Sequence, residues 1–227
     1  MPLPSSVSPI PDAAAGRVSD VATSRQVSDV AAARRVLGIE AAALGVLAES
    51  LGEAFARALD VLSAVTGRVI VTGMGKSGHV GRKFASTLAS TGSPAFFVHP
   101  AEASHGDLGM IAVGDAVVAL SNSGETSELS DLVDYSRRFS IPLVAITSGA
   151  DSTLSDAADV AVVLPRLPEA CPLGLAPTTS TTMMLALGDA IAVSLLDRKG
   201  FSAADFQRFH PGGKLGRILL RVGDLMH

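Results

Sequence analysis

Two polar segments of the chain have the residue types and spacing that bind a small phosphorylated molecule. Gly73-Met74-Gly75-Lys76-Ser77-Gly78 and Ser121-Asn122-Ser123-Gly124-Glu125-Thr126 each follow an apolar run and precede a helical pattern. Backbone N–H groups at a helix N-terminus attract anions, and hydroxyl and amide groups add neutral donors around a phosphate. The pair predicts a phosphate-binding site whose candidate residues are Gly75, Ser77, Ser121, Asn122, Ser123 and Thr126.

Simpler structural roles exist for both segments. Ser, Thr and a nearby Glu are also the ordinary residues of a helix start, so the second segment alone is equally compatible with helix capping. In the first segment the glycines could serve only close packing of a strand against a helix, which would leave Lys76 unexplained. Two such segments on neighbouring strand ends favour the functional interpretation.

The first segment also has the spacing of two nucleotide-binding motifs, and its surroundings argue against both. Gly73, Gly75 and Gly78 fit the G-x-G-x-x-G pattern of dinucleotide-binding folds, in which an acidic residue follows about 20 residues later. The second apolar run ends instead in Val98-His99-Pro100. A P-loop requires a glycine at the position where this chain has Ile70.

Both segments need a scaffold that brings strand ends together, and the apolar runs predict one. Five short runs are continuous rather than alternating, as in strands buried on both faces: 69–72, 95–98, 116–120, 143–146 and 160–163. Helical patterns separate most of them, which predicts an α/β fold with a doubly wound, five-stranded parallel sheet flanked by helices. Ligands bind such sheets beyond the carboxyl ends of the strands, where both polar segments lie.

The remaining chain divides into a tail and flanking helices. Residues 1–30 are rich in Pro, Ser, Ala and Asp without a sustained apolar period, which predicts a flexible N-terminal tail. From residue 31 apolar positions recur at helical spacing and predict two helices before the first strand. After the last strand the pattern predicts a long helix over 177–199 and a short one over 202–209. We assign the main domain to residues 31–221.

Composition excludes several classes of function. The 227 residues are 48% hydrophobic and 18% charged, which suits one domain with a large core. A net charge of −4 without a long basic run argues against a nucleic-acid partner, and no uninterrupted apolar run approaches the ~20 residues that span a bilayer. Cys171 is the only cysteine, so we expect no disulfide, no zinc site of paired cysteines, and a cytoplasmic location. The apolar helices before the first strand predict a homo-oligomer.

Taken together, the two polar segments resemble the signature of the SIS (sugar isomerase) family, whose members bind phosphosugars on a five-stranded parallel sheet. Residues 96–110, 169–182 and 210–213 resemble its D-arabinose 5-phosphate isomerase subfamily. The resemblance runs from about residue 34 to the end of the chain. It implies flavodoxin-like strand order, a homotetramer, no cofactor or metal, and interconversion of D-ribulose 5-phosphate and D-arabinose 5-phosphate, which leads towards Kdo for lipopolysaccharide.

That reaction moves a proton between C1 and C2 through an enediol-type intermediate, so it needs acid–base groups. The resemblance implicates Lys76, Glu128, Glu169 and His210. We prefer Glu169 as the base, because a following Cys-Pro-Leu-Gly run should exclude water and raise its pKa; Glu128 is the alternative. His105 and His210 are candidate proton shuttles for ring opening, and Lys76 could bind phosphate or stabilise the oxyanion. We expect His210 to act in a neighbouring subunit's site.

Two other functions stay open at this point. Another phosphosugar isomerase would use the same fold, and a phosphosugar-sensing regulator would bind its ligand without turnover. Such regulators usually carry a helix-turn-helix, which the Pro- and Ser-rich residues 1–30 do not suit. The isomerases usually continue into a pair of cystathionine-β-synthase-type (CBS) domains. Residues 222–227 resemble the start of that pair, so we interpret the chain as a catalytic domain.

Overall fold

The computed structural model describes residues 13–209, which form an α/β fold around one parallel sheet. Its strands are β1 (Val69–Gly73), β2 (Ala95–Phe97), β3 (Ala116–Leu120), β4 (Leu143–Thr147) and β5 (Val160–Val163). They lie in the order β2-β1-β3-β4-β5, and every neighbouring pair is parallel. The predicted fold class, strand order and strand positions are confirmed, with each strand end within one residue of its prediction.

Helices cover both faces of the sheet. On one face lie α1 (Ala13–Ser50), α2 (Glu53–Ser63), α3 (Gly75–Ser90) and α7 (Thr179–Arg198). On the other lie α4 (Pro100–Ala103), α5 (Ser130–Arg138) and α6 (Thr153–Ala157). Two short 3₁₀ helices, Asp107–Met110 and Ser127–Leu129, precede β3 and α5, and α8 (Ala203–Phe209) follows α7.

Burial explains why the strand sequences are continuous apolar runs. Every residue of β1, β3 and β4 is buried, whereas the edge strands β2 and β5 are only partly covered. Side chains of a central strand alternate between two helical layers, so both sets of positions favour apolar or small residues. The sheet therefore presents only its strand ends and the loops after them for binding.

The N-terminal helix is longer than the sequence predicted. Helix α1 begins at Ala13, so residues 13–30 of the predicted tail are helical, while residues 1–12 lie outside the described part of the chain. The sequence did not predict this helix because residues 26–35 are solvent-exposed, and an exposed helix does not need apolar residues at regular helical spacing. The segment is rich in alanine, and the prolines of the N-terminal region all lie before residue 12.

Helix α7 lies against the core although its composition resembles that of a membrane span. In the part of the chain that the structure describes, it is the one helix long and apolar enough on average to cross a bilayer, although Gly188 and Asp189 interrupt its apolar residues. Half of its apolar window is buried, and it packs against α1, α2 and α3. Gly188 permits the close approach to α3, because a Cβ there would lie 3.0 Å from the Phe84 ring. The packing of α7 is therefore that of a core helix.

Candidate functional site

The first polar segment forms a tight turn between β1 and α3. Met74 is extended, and α3 begins at Gly75, whose φ of +57° favours glycine. A Cβ at Gly78 would lie 2.6 Å from the carbonyl oxygen of Gly73, so a side chain there would push the helix off the strand. Lys76 is exposed at the start of the helix, and the Ser77 hydroxyl lies 3.7 Å from the sulfur of Met184. The N-terminus of α3 is thus directed to the carboxyl edge of the sheet, as predicted.

The second polar segment forms a loop that is held in shape by its own hydroxyls. Ser121 is buried, and its hydroxyl lies 2.7 Å from that of Thr126 and accepts a hydrogen bond from the N–H of Gly124 at 3.0 Å. Ser123 accepts a bond from the N–H of Glu125 at 3.1 Å. Asn122 and Ser123 are exposed. Ser121 and Thr126 therefore shape the loop, while Asn122 and Ser123 can contact a ligand.

Hydrogen bonds tie this loop to the loops that follow β4 and β5. Ser148, just after β4, donates its N–H to the Asn122 carbonyl at 3.0 Å and its hydroxyl to Asn122 Oδ1 at 2.9 Å. Arg166, just after β5, donates its Nε to the Ser148 carbonyl at 2.8 Å. The ends of three adjacent strands are thereby fixed relative to one another.

Glu169 caps the N-terminus of α7 with its carboxylate. Oε2 accepts bonds from the N–H and hydroxyl of Thr178 at 2.7 and 3.0 Å and from the N–H of Ser180 at 3.3 Å, and Oε1 accepts the Ser180 hydroxyl. Partial burial acts to raise the pKa of Glu169, but the bonds from Ser180 and Thr178 outweigh it and lower the pKa below its ordinary value. The predicted rise in pKa is therefore wrong, because sequence spacing did not reveal these donors.

We expect the lowered pKa to make part of the stability pH-dependent. A carboxyl with a depressed folded-state pKa stabilises the fold fully above its ordinary pKa of 4.5 and loses that contribution as pH falls through the folded value. Melting temperatures of the wild type and of Glu169→Gln should thus differ most near pH 7 and converge as the pH falls below 4.5 and through the lowered folded-state pKa. A gap that stayed constant over this range would contradict a charge-dependent role.

A pocket of about 210 Å³ joins the second loop to Glu169. It is lined by residues from the ends of three strands and from α7, namely Asn122, Ser123, Ser148, Pro165, Arg166, Leu167, Glu169, Ser180 and Met183. Two candidate phosphate-binding residues and the preferred base are therefore brought together. A larger pocket of about 530 Å³ lies at the opposite end of the sheet, and none of the candidate site residues lines it.

The other candidates that the structure describes do not line the 210 Å³ pocket. Lys76, His105 and Glu128 are exposed, and Glu128 accepts a hydrogen bond from the Ser127 hydroxyl at 3.2 Å. His210 lies outside the described residues. Gly75, Ser77, Ser121 and Thr126 likewise lie outside the pocket lining, although the latter two shape the adjoining loop.

The expectation that the run after Glu169 excludes water is wrong for a single copy of the chain. Residues 172–177 are all exposed, and the side chains of Leu173 and Leu175 are 78% and 81% exposed. In a single copy these exposed side chains therefore form no buried apolar cover over Glu169. Water can therefore reach this side of the site unless another surface covers it.

Sequence reasoning missed two polar residues of the pocket and did not identify the partner of a third. The third lies in the hydroxyl-rich segment 178–182, which the sequence indicated as a helix start able to contact the sugar. Ser148, Arg166 and Ser180 all line it, and each donates a hydrogen bond that fixes another part of the site. The first two directly follow predicted strands, so the rule that ligands bind at strand carboxyl ends would have selected them. Ser180 belongs to the hydroxyl-rich start of α7, whose partner Glu169 was not evident from sequence.

Comparison with known proteins agrees with this architecture. Residues 64–194 match the SIS domain. The chain belongs to the SIS domain family. Over 190 residues, or 83% of its length, it is 53% identical to an Escherichia coli protein named Arabinose 5-phosphate isomerase KdsD and 54% identical to a Pseudomonas aeruginosa protein of the same name. It spans 58% of the length of these relatives.

One solved structure that is similar to this chain contains a bound ligand. The structure of an E. coli CFT073 protein in complex with arabinose 5-phosphate aligns with a TM-score of 0.79 and 40% identity. The alignment covers 82% of this chain and 98% of that one. The SIS domain alone therefore accounts for nearly all of that neighbour.

Proposed function

We propose that this SIS domain is an aldose–ketose isomerase that interconverts D-ribulose 5-phosphate and D-arabinose 5-phosphate. The observation that carries the proposal is the pocket in which Asn122 and Ser123 of the phosphate loop lie with an ionised carboxylate, Glu169. The identity to proteins named arabinose 5-phosphate isomerase and the neighbour bound to arabinose 5-phosphate support this choice of substrate. The reaction is redox-neutral, so it requires no redox cofactor.

In the proposed mechanism, Glu169 moves the proton between C1 and C2. Its lowered pKa keeps the base form populated at neutral pH, and four hydrogen bonds fix its orientation before the substrate arrives. The second loop binds the phosphate with neutral donors. Lys76, exposed at the start of α3, can stabilise the oxyanion, while Glu128 is the alternative base and His105 or His210 opens the ring.

We further propose that the domain works as a cytoplasmic homotetramer. Exposed apolar side chains support self-association, and they lie on α1, on the loop after Glu169 and on α7: Val27, Val30, Leu37, Leu173, Leu175, Leu185 and Val193. In such an assembly His210 would enter a neighbouring site.

Residues 31–221 form the catalytic domain and 222–227 begin a CBS region in this proposal. The product would lead towards Kdo for lipopolysaccharide.

Ser123→Ala should mainly raise KM. A phosphate donor stabilises the ground state and the transition state alike, so its loss weakens binding by about tenfold and changes kcat by less than about threefold. Steady-state kinetics with D-arabinose 5-phosphate measure both constants. Ser130→Ala is the matched control, because the Ser130 hydroxyl bonds only the Ser127 carbonyl among the described residues and does not line the 210 Å³ pocket. A selective fall in kcat for Ser123→Ala would place this loop at the reacting carbons.

A substrate panel tests the proposed function. The purified chain is incubated with D-arabinose 5-phosphate, with a hexulose 6-phosphate and with an aminosugar 6-phosphate, and formation of the isomeric sugar is followed for each. We expect kcat/KM to be highest for the pentose phosphate. Preference for either hexose would assign another isomerase activity, and binding without turnover of any sugar would assign a sensor.

A further inference from the structure

Among the residues that the structure describes, Arg166 is the cationic side chain of the 210 Å³ pocket, and only Nε of its guanidinium makes a hydrogen bond. Its Nε donates to the Ser148 carbonyl at 2.8 Å, which holds the planar group at the pocket wall. Within the described residues, its two terminal nitrogens make no hydrogen bond or ion pair. A guanidinium anchored through Nε presents both terminal N–H groups in the fork that matches phosphate oxygens.

The charges of the pocket favour such a cation where a phosphate binds. Glu169, which lines the same pocket, is held as an anion by its hydrogen bonds. A phosphate dianion close to that carboxylate would be repelled, and the exposed donors of the second loop, on Asn122 and Ser123, carry no charge. Lys76 does not line this pocket. Among the pocket residues that the structure describes, Arg166 alone can offset the repulsion.

The opposite charges of Arg166 and Glu169 are not paired with each other in the pocket. Arg166 and Glu169 both line the pocket but form no ion pair, since none of the four ion pairs among the described residues joins them. The guanidinium is therefore not neutralised by the carboxylate. Each remains available to a different part of a bound molecule.

We propose that Arg166 binds the substrate phosphate through its terminal nitrogens and makes the pocket selective for phosphorylated sugars. This inference rests on the proposed function and adds a charged contact to the neutral phosphate loop. Ser148 is the positioning residue in this arrangement, because it links Arg166 to Asn122. The arginine thus acts on binding and not on proton transfer.

Inorganic phosphate and substrate kinetics test this role separately. We expect Arg166→Gln to weaken the binding of inorganic phosphate, measured by titration calorimetry, by about 10- to 100-fold, the usual loss for a charged hydrogen bond. The KM for D-arabinose 5-phosphate should rise by a similar factor with kcat changed less than about threefold. Arg166→Lys should recover part of the affinity, because it restores the charge without the fork.

Arg57→Gln is the matched control. Arg57 is also exposed and also donates to a backbone carbonyl, that of Asp159, but it lies beside the opposite end of β5. Its variant should keep the wild-type phosphate affinity. Equal phosphate affinities for wild type and Arg166→Gln would overturn the assignment, as would a fall confined to kcat. If the wild type binds phosphate through Arg166 but does not isomerise the pentose phosphate, only the proposed function fails.

Discussion

Replacing Glu169 by Gln is expected to lower kcat by roughly two to four orders of magnitude, the usual contribution of a positioned acid–base group. The amide has nearly the same shape and keeps one oxygen acceptor for the start of α7, so the variant should still fold. It cannot accept the proton that moves between C1 and C2. Single-turnover measurements at saturating substrate separate this loss from any change in binding.

Two other carboxylates make this result interpretable. Glu53→Gln removes a carboxylate from the first turn of α2, away from the 210 Å³ pocket, and should leave kcat unchanged. Glu128→Gln changes the rival base, which is exposed and bonded only to Ser127 among the described residues. Near-normal turnover in Glu169→Gln together with a large loss in Glu128→Gln would transfer the role to Glu128.

Gly124→Ala should damage the phosphate loop more than any single hydroxyl deletion within it. Gly124 has a φ of +73°, and a Cβ there would lie 1.9 Å from the Ser152 hydroxyl oxygen and 2.4 Å from Ser152 Cβ. Either the phosphate loop or the start of α6, which Ser152 caps, must move to relieve this overlap. We expect a cost of about 3 kcal/mol, which lowers the melting temperature by about 6–12 °C, and at least a tenfold rise in KM.

Gly200→Ala is the control that separates the effect of the Ser152 overlap from the effect of backbone strain at positive φ. Gly200 has a similar φ of +61° at the end of α7, but a Cβ there would meet nothing within 4 Å. This control should cost only about 1 kcal/mol and leave KM unchanged. Equal losses of stability in the two variants would show that positive φ, and not contact with Ser152, dominates at Gly124.

The sequence predicted the scaffold well because each strand is specified locally. The runs at β1, β3 and β4 are buried on both faces, so their apolar character is continuous and unambiguous. The N-terminal part of α1 was not predicted because an exposed helix carries no apolar period. Periodicity reports burial against a core, and residues 26–35 of α1 have none.

The site was predicted less completely because its contacts are not local in sequence. Glu169 was selected, but the lowering of its pKa depends on Thr178 and Ser180, which reach it only once α7 has docked. Arg166 was overlooked because its partner, Ser148, lies 18 residues away on another strand end. Such pairs depend on strand order, which a single sequence specifies only through resemblance.

The most direct test of the proposed activity is the identity of the sugar formed from D-ribulose 5-phosphate. The purified chain is incubated with this ketose, and the products are resolved by nuclear magnetic resonance, which distinguishes the two aldoses that differ at C2. We predict D-arabinose 5-phosphate at its equilibrium proportion in the wild type and far slower formation in Glu169→Gln. Exclusive formation of D-ribose 5-phosphate, or no aldose from a protein that binds the ketose, would contradict the proposal.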